Sequence, residues 1–221
     1  MNIRALLAEF IGTFALTFVG VGAIASNHII SGDSGLVGIA LAHGLTLAVM
    51  VSATAAISGG HINPAITFGA LITGKINITN AIGYIIAQCL GAIVAALMIQ
   101  LSMPTAALAA VSLGTPALGP GVTASMGLIM EIILTFFLAF VVFGTAMDRR
   151  APKVGGLFIG LTVALDILIG GPITGAAMNP ARYFGPALLG GDLQHFWLYL
   201  VGPLVGSGLA ALVYHNVLEE E

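Results

Sequence analysis

The chain has 221 residues with six Lys or Arg, nine Asp or Glu and a formal net charge of −3, so charged residues are 7% of it, where an ordinary soluble domain carries about a quarter. With 58% hydrophobic residues, there is too little charge to wet the outside of a compact particle, and most of that outside must face lipid. A soluble globular protein is excluded, and so is nucleic acid as a partner, because beyond residues 148–153 the chain has no cluster of Lys and Arg to neutralise phosphates.

In chain order, six apolar stretches read as bilayer spans, of roughly 20 residues each except for a shorter fifth. They run near Ala5–Ala25, Leu36–Ile57, Ala81–Leu101, Val122–Thr145, Val154–Ile169 and Phe196–Leu218. The first lacks an obvious cleavage site after it and reads as a retained span rather than a signal peptide. Two more apolar pieces, Asn63–Ile72 and Asn179–Leu189, are only about half a bilayer long. Half-spans are tolerated only where protein or a water-filled lumen satisfies their backbone ends. Thirty glycines suit helices that approach closely in lipid. The single cysteine, Cys89, offers neither an intramolecular disulfide nor a metal cluster, and no cofactor or metal is expected.

Basic residues set the orientation. Arg4, Lys75, Arg149, Arg150 and Lys153 all fall on the side shared by the two termini, the second-to-third connection and the fourth-to-fifth connection. By the positive-inside rule that side is cytoplasmic. The opposite loops hold Asp33 and Asp192.

An internal repeat organises the whole chain. Gly44-Leu45-Thr46 lies 19 residues before Asn63-Pro64-Ala65, and Gly160-Leu161-Thr162 lies 19 residues before Asn179-Pro180-Ala181. Phe68-Gly69 and Phe184-Gly185 follow the two triplets, and Glu9 with Thr13 is echoed by Glu131 with Thr135. Each half is span, span, half-span, span, so three crossings per half force the halves into opposite topologies. The chain therefore reads as a single channel domain over 1–221, with inverted repeats about 1–101 and 122–218 joined by an extracellular loop at 102–121. Such repeats are a known plan for moving solutes across bilayers.

Asn as an N-cap followed by Pro at the first helical position marks a helix start. Here it occurs twice, with the half-helices entering from opposite faces, so their N-termini meet near the midplane, each carrying about half a positive charge. If Asn63 and Asn179 cap with their side-chain oxygens, their amide NH₂ groups are left as donors to the lumen. Water can accept those bonds, whereas a proton or cation meets two positive dipole ends. Arg182 follows the second motif; facing lipid at that depth would cost several kcal/mol, so it is expected to face the lumen, with snorkelling to the headgroups as the alternative. Glu9 and Glu131 lie inside apolar spans and need partners. They read as acceptors bracing the re-entrant loops, or alternatively as a proton relay. Asp166 is expected in structural pairing, and His61 as a loop brace or a lining of the cytoplasmic vestibule.

Gly59-Gly60-His61-Ile62-Asn63-Pro64-Ala65 with Met178-Asn179-Pro180-Ala181-Arg182 resembles the paired signature of the aquaporin (major intrinsic protein) family, and the resemblance extends from Ala8-Glu9-Phe10 to Gly202-Pro203. It implies an all-α membrane protein: a right-handed bundle of six transmembrane helices plus two re-entrant half-helices, one pore per protomer, assembled as a homotetramer. It also implies a second filter at the outer mouth formed by His43, Ile167, Ala176 and Arg182, most like the plant vacuolar-membrane members, some of which pass ammonia or urea. Ile167 in place of a histidine implies a wider, less water-exclusive constriction. Tyr183 stands where water channels usually have Ser or Thr. Leu200, where they usually have Trp, leans toward glycerol channels, but no Asp follows Arg182 as is typical there.

The function expected is a passive channel for water and small neutral solutes (ammonia, urea or glycerol) that excludes protons and ions. The alternative is a proton-coupled secondary transporter using Glu9, Glu131 and Asp166. No enzyme site is recognisable, since Asp166 has no suitably paired second aspartate and there is no Ser-His or metal-binding arrangement. The short termini suit a prokaryotic plasma membrane, with both termini cytoplasmic.

Overall fold

The computed structural model describes residues 2–219. Its helices are α1 (Ile3–Ile29), α2 (Gly35–Ser58), α3 (Pro64–Ile72), α4 (Ile78–Ser102), α5 (Thr105–Ala110), α6 (Ala124–Val142), α7 (Gly155–Thr174), α8 (Pro180–Gly190) and α9 (Phe196–Val213). Six are long and apolar enough to cross a membrane, α6 and α9 together with the π-helical turns that prolong them to Met147 and Leu218. The short α3 and α8 coincide with the two expected half-spans. Outer faces carry exposed Leu90, Ile129, Leu165 and Leu209, which suits a lipid solvent.

Local chemistry explains the ends. Asn2 accepts from the Arg4 N–H at 3.0 Å to open α1, and Asn77 caps α4 through the Asn80 N–H. Gly59 and Gly175, with φ of 89° and 78°, close α2 and α7 in the left-handed conformation. Helix α7 runs five residues past the expected Ile169, straight through Gly170-Gly171-Pro172. Pro172 stands in the last turn, where it forfeits a single helical hydrogen bond. Gly170 serves packing there, since a Cβ would collide with the Leu134 side chain of α6. The connection at 102–121, expected as a plain loop, contains α5 and a tight turn at Ser112–Gly114.

Helices cross on small residues, and the crossings obey the repeat. A Cβ on Gly44 would lie 2.5 Å from the Gly160 carbonyl oxygen, and one on Gly160 would strike the Gly44 carbonyl, so α2 and α7 touch through matched glycines. Gly91 of α4 abuts the Phe10 carbonyl of α1, as Gly206 of α9 abuts the Ile132 carbonyl of α6. The half-helices are seated the same way, Gly69 of α3 against Ser207 and Gly185 of α8 against Ala92. This leaves α3 and α8 end to end in the middle of the bundle, in contact with each other.

Candidate functional site

The two half-helices begin on the same chemistry. Asn63 Oδ1 accepts from the Ala65 N–H at 2.8 Å, and Asn179 Oδ1 from the Ala181 and Arg182 N–H groups at 3.0 and 3.2 Å. Pro64 and Pro180 occupy the first helical positions. Immediately before each asparagine the backbone is held at positive φ by a residue with a Cβ, 54° at Ile62 and 52° at Met178. Such conformations cost about 1–3 kcal/mol each and need external restraint.

Two carboxyl groups provide it. Glu9 Oε1 accepts from Ser58 Oγ at 2.6 Å and the His61 N–H at 2.9 Å, while Oε2 accepts from the Ile62 N–H at 2.6 Å and Gln88 Nε2 at 2.7 Å. Glu131 Oε1 accepts from Thr174 Oγ1 at 2.7 Å and the Ala177 N–H at 2.9 Å, and Oε2 from the Met178 N–H at 2.7 Å. Both glutamates are fully buried and neither lines the lumen. Their oxygens are taken up by donors of the loops and of the helices beside them, so the geometry lends nothing to a proton-relay reading. Ser58, Gln88 and Thr174 escaped the sequence reading; Ser58 and Thr174 stand 116 residues apart, in register with the repeat, which is the signal that could have found them.

The loops also grip each other. Asn63 Nδ2 donates to the Met178 carbonyl at 2.8 Å, and Asn179 Nδ2 to the Ile62 carbonyl at 2.9 Å. This corrects the expectation that both amide hydrogens of each asparagine are free for the lumen. One is spent joining the halves, which leaves one N–H per asparagine.

A narrow cavity of about 30 Å³ lies in the bundle at this point, above the roughly 10–15 Å³ that a single water needs. Asn63, Asn179, His43, Ile167, Ala176 and Arg182 all line it. Ala65 and Ala181, fully buried, pack behind. Apolar walls from matched positions, Leu16 with Leu138 and Leu47 with Val163, complete it.

Arg182 is 3% exposed, so it does not snorkel. Its Nη1 donates to the Gly114 carbonyl at 2.9 Å, and its Nη2 is 3.4 Å from His43 Nε2. His43 Nδ1 lies 2.9 Å from the Ile39 carbonyl, which can only accept, so Nδ1 carries the proton and Nε2 presents a lone pair to the guanidinium. No sequence signal pointed to Gly114. His61 sits at the inner end, with Nδ1 3.1 Å from Thr67 Oγ1 and its ring edge-on to Tyr84 at 5.3 Å. It borders both the narrow cavity and a vestibule of about 1320 Å³ that Lys75, Arg149 and His215 also line. Asp166 is buried off the lumen, and its Oδ2 has no hydrogen-bond partner among the described residues, so the pairing expected for that oxygen is not found. No group of three or more His, Cys, Asp or Glu that could hold a metal occurs among the described residues.

Two half-helices meeting around a water-sized lumen inside six spans define a membrane channel architecture. The model of the major intrinsic protein family matches residues 1–214. Aquaporin TIP4-4 of Zea mays is 48% identical over 97% of this chain and 86% of its own, and aquaporin TIP2-1 of Arabidopsis thaliana 43% identical over 98% and 88%. The solved aquaglyceroporin of Plasmodium falciparum superposes with a TM-score of 0.87 at 27% identity, covering 98% of this chain and 96% of that one. The chain belongs to the major intrinsic protein family, a family of channels and not enzymes, and is an integral, multi-pass membrane protein. These relatives give no support to a plasma membrane as its host, nor to the proton-coupled alternative.

Proposed function

We propose that the protein is a passive channel for water and small neutral solutes that rejects protons and ions. The observation that carries this is the lumen itself: one water-sized passage lined by Asn63, Asn179 and the His43, Ile167, Ala176, Arg182 set. The remaining N–H of each asparagine offers a hydrogen bond to a passing oxygen, where two positive helix ends oppose a cation. Arg182 adds a fixed positive charge near the outer mouth. The bracing of both loops by Glu9 and Glu131, with His61 at the inner end, holds the asparagines in place.

Water ranks first as the solute, with ammonia, urea and glycerol behind it. Ile167 and Ala176 make two of the four filter walls apolar, which suits the carbon or nitrogen skeleton of a small uncharged solute as well as water. The similarity to proteins described as an aquaporin and as an aquaglyceroporin supports both classes. We further propose that residues 1–221 form one channel domain of two inverted repeats joined by the outer connection at 102–121, that both termini are cytoplasmic, and that four copies assemble with one pore each. The test is swelling of proteoliposomes in water, glycerol, urea and ammonia gradients side by side. Water flux above that of empty vesicles supports the reading, and its absence with folded protein overturns it.

A further inference from the structure

We infer that Gly20, on α1 and outside the lumen, positions the filter by supplying the space that His43 occupies, with the next residue, Val21, backing the other anchor of Arg182. This rests on the reading of His43 and Arg182 as part of the conduction path. Gly20 is buried, and a Cβ built on it would collide with His43 Nε2 while lying 2.6 Å from Cδ2 and 3.0 Å from Cε1. Nε2 is the atom that faces Arg182 Nη2. The ring cannot swing aside freely, because Nδ1 is tied to the Ile39 carbonyl of its own helix at 2.9 Å. It lies between α1 and the lumen, so a methyl group at position 20 drives it inward.

The second anchor depends on the neighbouring residue. Gly114, whose carbonyl holds Arg182 Nη1, ends a turn in which Ser112, Leu113 and Gly114 all have positive φ, 48°, 52° and 63°. That turn rests on α1: a Cβ on Gly114 would lie 3.3 Å from Val21 Cα, and Val21 is fully buried in one cluster with Leu113. Two successive residues of α1 thus back both hydrogen-bond partners of the arginine.

The repeat sharpens the assignment. By the offset that relates Glu9 to Glu131, Gly20 corresponds to Val142; by the offset that relates Asn63 to Asn179, His43 corresponds to Ile159. Val142 and Ile159 both line the lumen. One half fills its wall with two medium side chains, the other with a large polar ring and a glycine that makes room for it. The glycine is therefore matched to the histidine rather than to helix packing in general.

The experiment compares wild type, Gly20→Ala, His43→Ala, the Gly20→Ala/His43→Ala double variant and Gly22→Ala in proteoliposomes, measuring water and urea permeability. Gly22 lies two residues along α1, and a Cβ there meets only Ile99 Cδ1 at an ordinary 3.4 Å, so it controls for adding alanine to the helix. Gly20→Ala is expected to lower the urea-to-water ratio by roughly tenfold, the scale on which one methylene discriminates in a fitted pocket. In the His43→Ala background the same change is expected to be silent, and Gly22→Ala to behave as wild type. An unaltered ratio in Gly20→Ala, or an equal drop in the His43→Ala background, overturns the inference. If Gly20→Ala does not fold, folding must return in the double variant, and its failure to return also overturns it. His43→Ala with unaltered permeabilities would instead defeat the filter reading.

Discussion

Replacing Glu131 by alanine removes the acceptor for three donors at once: Thr174 Oγ1, the Ala177 N–H and the Met178 N–H. Thr174 Oγ1 has a second acceptor in the Gly170 carbonyl at 3.5 Å and can turn to it. The two backbone N–H groups have no such recourse; their site is fully buried and the loop is locked by the Asn179 contact to Ile62. A buried unmade donor costs about 1–3 kcal/mol, so the pair comes to roughly 2–6 kcal/mol. Glu131→Gln keeps a carbonyl oxygen for Thr174 and Ala177 but turns an amide donor toward the Met178 N–H, so it is expected to lose about half as much. Denaturant titration of the purified protein in mild detergent measures this, with the exposed Leu165→Ala as a control that opens no cavity. If Glu131→Ala were as stable as the control, the glutamate would not be what holds the strained Ala176–Met178 backbone.

Three further outcomes are expected. Arg182→Ala removes the guanidinium that lines the lumen and is expected to raise proton leak across proteoliposomes, measured with an entrapped pH dye; an unchanged leak contradicts a barrier role. Asn179→Ala uncaps two N–H groups of α8 and frees the Ile62 carbonyl, so water permeability is expected to fall severalfold, with stability reduced by about 1–3 kcal/mol; wild-type flux from a folded variant would mean that the asparagine is dispensable. At the cytoplasmic end, His215 and then Lys75 hold the Glu219 carboxyl below the usual carboxylate range. The tie is therefore complete above that range and is lost as pH falls through the folded-state value. Amide exchange in the turn Tyr214–Leu218 is expected to quicken only below ordinary carboxylate pH, and exchange that does not vary with acidification counts against it.

The chain's architecture was legible because its signals were redundant. Scarce charge, six apolar runs and Asn-Pro-Ala twice in register each point to the same bundle. Where residues had one meaning locally and another in packing, the reading missed. Gly170-Gly171-Pro172 has the composition of a chain break, yet Gly170 is small for the sake of Leu134 and the helix runs on to Thr174. Asn63 and Asn179 were legible as caps, but their bonds to each other's loops span 115 and 117 residues and have no local trace. The turn at Ser112–Gly114 is the extreme case, since its value lies in one carbonyl aimed at Arg182 and backbone direction is not written in side-chain type. Gln88, a polar residue inside an apolar span, carries no local sign of its partners, since Glu9 and Thr67 lie 79 and 21 residues away.

Stopped-flow light scattering on proteoliposomes under an osmotic gradient, repeated across temperature and with an imposed pH gradient, tests the central claim most directly. A water-sized lumen with fixed donors predicts water flux that does not saturate, has an activation energy well below that of the bare bilayer, and is indifferent to the pH gradient. Saturable flux, or uphill movement of solute driven by protons, would contradict it.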